Sequence, residues 1–158
     1  MKIEELKQQF QASGYACLIV KDDKEVFSST ARGIFPLVQG ISKMKGAYLA
    51  DKIIGRAAAL ICVHGGILAV YADIMTPAAA EVFDEYGILF DAGSFVDKIE
   101  NRDRTGLCPF EELGKELSCP KQALGKVALK LQEFGMELPD DLQLGCEKTC
   151  CGKKGEEA

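Results

Sequence analysis

The chain has 158 residues, 47% of them apolar and 27% charged, ordinary globular proportions that exclude a collagen-like, coiled-coil or wholly disordered polypeptide and suffice for one folding unit. Nineteen basic against twenty-four acidic side chains leave a net charge of −5, a field that repels nucleic-acid backbones and anionic membranes, so neither is expected as a partner. No apolar run approaches the roughly 18 residues of a spanning helix, and Met1 to Ser13 is charged and amphipathic without a signal-peptide core, so a soluble cytoplasmic protein is expected.

Ile3, Leu6 and Phe10 recur at helical spacing with Gly14 as a stop, which predicts a helix over 2–13 whose one apolar stripe packs on a sheet. The apolar run Tyr15 to Val20, the charged turn Lys21 to Lys24 centred on Asp22 and Asp23, and the resumption over 25–29 predict a β-hairpin. Gly33, Pro36, Gly40 and Gly46 break up residues 30–46, which read as a long irregular connection. Leu49, Ile53, Ile54, Ala57, Ala58, Leu60 and Ile61 cover much of a helix circumference, so 47–63 is expected as a buried helix. Ile67 to Ala72 has the near-continuous apolar character of a central strand, with Asp73 at its exit. Thr76 and Pro77 form an N-cap and first-turn pair for a helix over 77–86, and Ile88 to Phe90 completes a strand–helix–strand unit with parallel strands. A polar stretch then runs from Asp91 to Cys108, after which Pro109 and Pro120 each open a helix, the second closed by Gly135. One α/β domain over 1–140 is expected, a three-layer α/β/α sandwich on a mixed sheet, followed by a disordered tail over 141–158 that holds Cys146, Cys150 and Cys151.

Seven cysteines without an export signal argue against a disulfide framework, so most are expected as thiols, with Cys17 and Cys62 as small core residues. No CxxC pair occurs. The single histidine, His64, stands beside two glycines at a helix end, where interaction with the helix dipole suits it better than ligation. No metal site and no cofactor are expected.

Ligands of sheets with parallel strands gather beyond the strands' carboxyl ends and at helix starts. Three stretches are therefore expected to converge: Lys43 to Lys52, Asp73 to Pro77, and Asp91 to Cys108. Lys43, Lys45, Lys52 and Arg56 surround one expected helix start, a pattern that suits a phosphate or carboxylate and fits a solvated charged turn equally well; Asp51 there reads as a complement to the dipole. Asn101, Arg102 and Asp103 combine donors, a planar fork and a carboxylate for a polar small molecule, with an Asx turn closed by an Arg–Asp pair as the structural alternative. Cys108, at an expected helix N-cap before Pro109, is the one thiol in a setting that lowers its pKa, and Glu111 is a candidate proton acceptor; capping or packing competes with that role.

The run DKIIGRAAALICVHGGILAVYADIMTPAAAEVFDEYGI and the later NRDRTGLCPFEE resemble a small bacterial family, domain-of-unknown-function family 1893, over roughly residues 14–117. The resemblance implies a cytidine-deaminase-like fold. It does not bring the reaction with it. Zinc deaminases hold a metal-bound water with a histidine or cysteine of an HxE-like motif and two cysteines of PCxxC, whereas Pro77 to Glu81 offers alanine and glutamate for the thiolates, and the helix start expected around Asp51 and Lys52 has neither histidine nor cysteine. The leading expectation is a metal-independent domain for an anionic or nucleotide-like small molecule, bound by Lys45, Lys52, Asp73, Asn101 and Arg102. A thiol-dependent enzyme using Cys108 with Glu111, and an interaction or regulatory module whose groove takes a partner protein or a second copy in a homo-oligomer, are the alternatives.

Overall fold

Helix α1 (Ile3–Ser13) leads into a hairpin of β1 (Cys17–Lys21) and β2 (Lys24–Ser29) in a computed structural model that describes residues 2–31, 34–97, 113, 117 and 119–138. Asp22 and Asp23 make the turn at φ 53° and 64°. A two-residue hairpin of the primed type needs this left-handed backbone at both positions, and aspartate tolerates it better than most side chains do. The connection after β2 is more ordered than expected, with a short helix α2 (Phe35–Gln39) and a 3-10 turn at Ile41–Lys43. Pro36 lies in the first turn of α2, where a missing N–H costs nothing.

The main correction concerns 47–63. Strand β3 (Tyr48–Ile54) and helix α3 (Arg56–Gly65) share the stretch expected as one helix, divided at Gly55. A fully buried strand and a buried helix carry the same unbroken apolar sequence; pairing on both sides of β3 decides between them. It runs antiparallel to β1 and parallel to β4 (Ala69–Met75). Helix α4 (Pro77–Glu85) begins where its cap predicts, with Thr76 Oγ1 accepting the Ala79 N–H at 3.2 Å. Strand β5 (Leu89–Phe95) lies parallel to β4, and α5 (Pro120–Glu133) follows Pro120 as expected.

The five strands form one mixed sheet in the order β2-β1-β3-β4-β5. On one face α1 buries Leu6 and Phe10 against Leu18, Val20, Ala50 and Tyr71. On the other, α3, α4 and α5 close a larger core over Ile19, Leu49 and Val70, through Leu60 and Ile61, Phe83, and Leu124 and Val127 respectively. Helix α1 lies over β1, β3 and β4, and Leu89 on β5 is 67% exposed. No described helix is long and apolar enough to cross a membrane. The stretch 141–158, expected as a tail, lies outside the described residues.

Candidate functional site

Because β3, β4 and β5 run parallel, their carboxyl ends share one rim with the starts of α3 and α4. The β3–β4 ladder pairs Asp51 with Ala72 and Ile53 with Ile74, which sets Lys52 beside Asp73 between those two pairs. Both residues are half-buried. The Lys52 ammonium lies 5.6 Å from the centre of the Phe10 ring, on the α1 side of the sheet. Tyr71, two residues before Asp73 and therefore on the same face, donates its hydroxyl hydrogen to Asp73 Oδ1 at 2.9 Å and accepts from Gln11 Nε2 at 3.5 Å. Burial, followed by the hydrogen bond to Asp73, pushes the Tyr71 phenol up to about 12, so it stays protonated and stays a donor. The Lys7 ammonium stands 5.8 Å from the Tyr71 ring. Gly93 of β5 backs onto this group: a Cβ there would come within 2.9 Å of the Asp73 carbonyl oxygen and 3.2 Å of Tyr71 Oη.

The opposite face of the sheet holds a second polar feature at the same height. Asp51 is only 4% exposed, and its strand partners Cys17 and Ala72 belong to the core beneath α3. Its Oδ1 accepts the Lys52 N–H at 2.6 Å and the Ile53 N–H at 3.4 Å, while its Oδ2 is buried without a hydrogen-bond partner. Burial raises the Asp51 carboxyl to about 8, with Asp73 pushing the same way and the two amides and Lys52 opposing. The neighbouring Cys17 and Cys62 thiols are themselves driven up by burial and then by Asp51. These cysteines are inert core thiols in character, in line with their sequence setting. Asp51 is not the expected helix-dipole partner, because it lies on a strand.

Of the residues expected to bind a ligand, the structure brings Lys52 and Asp73 together and separates Lys45 from them. Lys43 and Lys45 precede β3 and lie by the carboxyl end of α3, where the Lys45 backbone abuts Gly66. Lys52 is at the far end of the strand, whose seven residues span roughly 20 Å at about 3.3 Å each. Arg56, in the first turn of α3, donates from Nε to the Leu117 carbonyl at 2.9 Å. Asn101, Arg102, Cys108 and Glu111 lie outside the described residues. His64 does close α3, but burial first and then Lys121 lower its pKa, which favours the neutral ring over the cation a helix-dipole interaction calls for. Cys17 and Cys62 are free, whereas Cys119, at the start of α5, is disulfide-bonded. A shallow concavity of about 260 Å³, lined by Val20, Asp22, Asp23, Gly46, Tyr48 and Leu68, opens at the hairpin end, away from the rim. Among the described residues no three His, Cys, Asp or Glu side chains are arranged to hold a metal ion.

Sequence reasoning missed Tyr71, Gln11 and Gly93. Tyr71 lies inside an apolar run, yet its spacing of two from Asp73 on a strand was the available signal. Gln11 and Gly93 carried none, since each is local to a different element.

No curated protein matches the chain. A crystal structure of a DUF1893 family protein from Thermotoga maritima is similar, with a TM-score of 0.74 at 23% identity, covering 81% of this chain and 88% of that one. At that identity the likeness speaks for the fold. The family described as a domain of unknown function, DUF1893, matches residues 5–131, most of the ordered elements from within α1 to near the end of α5, and the chain belongs to that family.

Proposed function

We propose that this chain is a small-molecule-binding domain of cytidine-deaminase-like fold, with a metal-independent site for an anionic, nucleotide-like ligand at the carboxyl rim of its parallel strands. The observation that carries the proposal is the placement of Lys52 beside Asp73, between the Asp51–Ala72 and Ile53–Ile74 pairs of β3 and β4, with the Tyr71 hydroxyl donating to Asp73. Lys52 supplies a charge for a phosphate or carboxylate, and Asp73, fixed through one oxygen, keeps its other oxygen as an acceptor for a ligand hydroxyl or amine. The hairpin, the three parallel strands and the helices on both faces support the fold name. The starts of α2, α3 and α4 keep zinc-dependent deamination outside the proposal: 34–38 reads Ile-Phe-Pro-Leu-Val, 55–59 reads Gly-Arg-Ala-Ala-Ala and 76–80 reads Thr-Pro-Ala-Ala-Ala, with no soft ligand in any of the three, and Cys119 at the start of α5 is disulfide-bonded.

A thermal-shift screen with nucleotides, sugar phosphates and organic acids tests this reading. A stabilising compound is expected, with its effect cut at least tenfold in apparent affinity by Lys52→Ala or Asp73→Asn and unchanged by Lys45→Ala. A screen in which nothing raises the melting temperature, or a hit that depends on Lys45 and ignores Lys52, overturns it.

A further inference from the structure

Asp51 is a charged-capable side chain placed where charge is most expensive. It sits between the sheet and α3 with one oxygen unpartnered, and a buried polar atom of that kind calls for a reason. Its other oxygen draws the Lys52 and Ile53 amides of its own strand, and the β3–β4 ladder steps over Lys52 in the same place. Lys52 N–H is also shared with the Ala16 carbonyl at 3.2 Å. The Lys52 and Ile53 amides are therefore tied to the Asp51 carboxyl as well as to the neighbouring strands, and a change in that carboxyl is felt directly at those two residues.

We propose that Asp51 is a proton-controlled latch: neutral, it keeps the carboxyl end of β3 docked beneath α3, and ionised, it releases Lys52 to Ile54 toward water. The titratable and charged groups around it are Cys17 from β1, Cys62 from α3, Asp73 from β4 and Lys52 from its own strand. The two thiols are pushed upward by the same burial and stay neutral while Asp51 titrates. Asp73 disfavours a second negative charge and Lys52 favours it, so one proton at Asp51 is the variable. In the opened segment the carboxyl is hydrated and ionises in the ordinary range near 4, whereas in the closed form it holds its proton to about 8. Opening is then favoured progressively between those two values and levels off above the higher one.

Hydrogen exchange of the full chain, followed from pH 5 to 9 and corrected for intrinsic rates, reads the latch. The opening constant of the amides at 52–54 is expected to rise by up to about tenfold per pH unit below pH 8 and to flatten above it. Asp51→Asn, which keeps the acceptor oxygen and cannot ionise, is expected to abolish that slope. Opening constants at 52–54 no larger than those of the α5 amides would mean global unfolding in place of local release, and a slope that survives in Asp51→Asn would assign it to another group; either result overturns the proposal. Should the variant fail to fold, the Asp51 carboxyl carbon shift in the wild-type chain decides, since a midpoint in the ordinary carboxylate range rejects the latch outright.

Discussion

Two residues on opposite faces of β3 and β5 make separate demands on stability. Asp51 has a folded-state pKa near 8, above the ordinary carboxyl value of roughly 3.9. The contribution of its neutral form is thus complete below the ordinary range and is lost as pH climbs toward 8. Asp51→Asn is expected to match the wild type near pH 4 and to exceed it increasingly up to pH 8, where the gap is on the order of a few kcal/mol, as read by urea denaturation at each pH. Gly93 is constrained by space, not by a left-handed backbone. A methyl at that position meets the Asp73 carbonyl at 2.9 Å, so Gly93→Ala is expected to cost about 1–3 kcal/mol and to move Tyr71 off Asp73, measurable as a lower urea midpoint and a changed tyrosine ultraviolet titration.

Helix α1 is held by a short apolar stripe. Leu6 and Phe10 are buried, and Phe10 also packs edge-on against Tyr71 at 6.3 Å between ring centres and lies beneath the Lys52 ammonium. Truncating Phe10 therefore disturbs the helix and the rim together. Phe10→Ala is expected to lower unfolding free energy by about 3–5 kcal/mol, and Leu6→Ala by about 2–5 kcal/mol with less effect on Tyr71 fluorescence; calorimetry and emission spectra on the two variants separate these outcomes. The same stripe was legible from three apolar positions, because an amphipathic helix on a sheet advertises its face. The stretch 47–63 was not, because burial on both sides erases periodicity, and Gly55, the residue that divides strand from helix, looks like one small residue among alanines. Pro36 misled in the other direction: as a helix breaker it suggested a loop, while its position in a first turn made it an initiator.

At the scale of the whole molecule, the mixed sheet with helices on both faces was legible because a hairpin followed by a strand–helix–strand unit leaves few other arrangements. The site was legible only in part. Charge at expected element ends points to Lys52 and Asp73, and the register of β3 against β4, not convergence at a helix start, sets them side by side. Lys45 failed to join them because a residue seven positions earlier is near in a helix and distant along a strand. That one change of conformation spreads a supposed basic cluster over both ends of the molecule, and it predicts that neutralising Lys45 and Lys52 will have unequal effects on any ligand.

Strand β1 has partners on both edges, β2 immediately after it and β3 some thirty residues later. During synthesis at about 5–20 residues per second, the hairpin emerges with one hydrogen-bonding edge of β1 unpaired for a few seconds before Tyr48 to Ile54 arrives to cover it. Until then the early hairpin offers a row of strand hydrogen-bonding groups that only β3 satisfies in the finished fold.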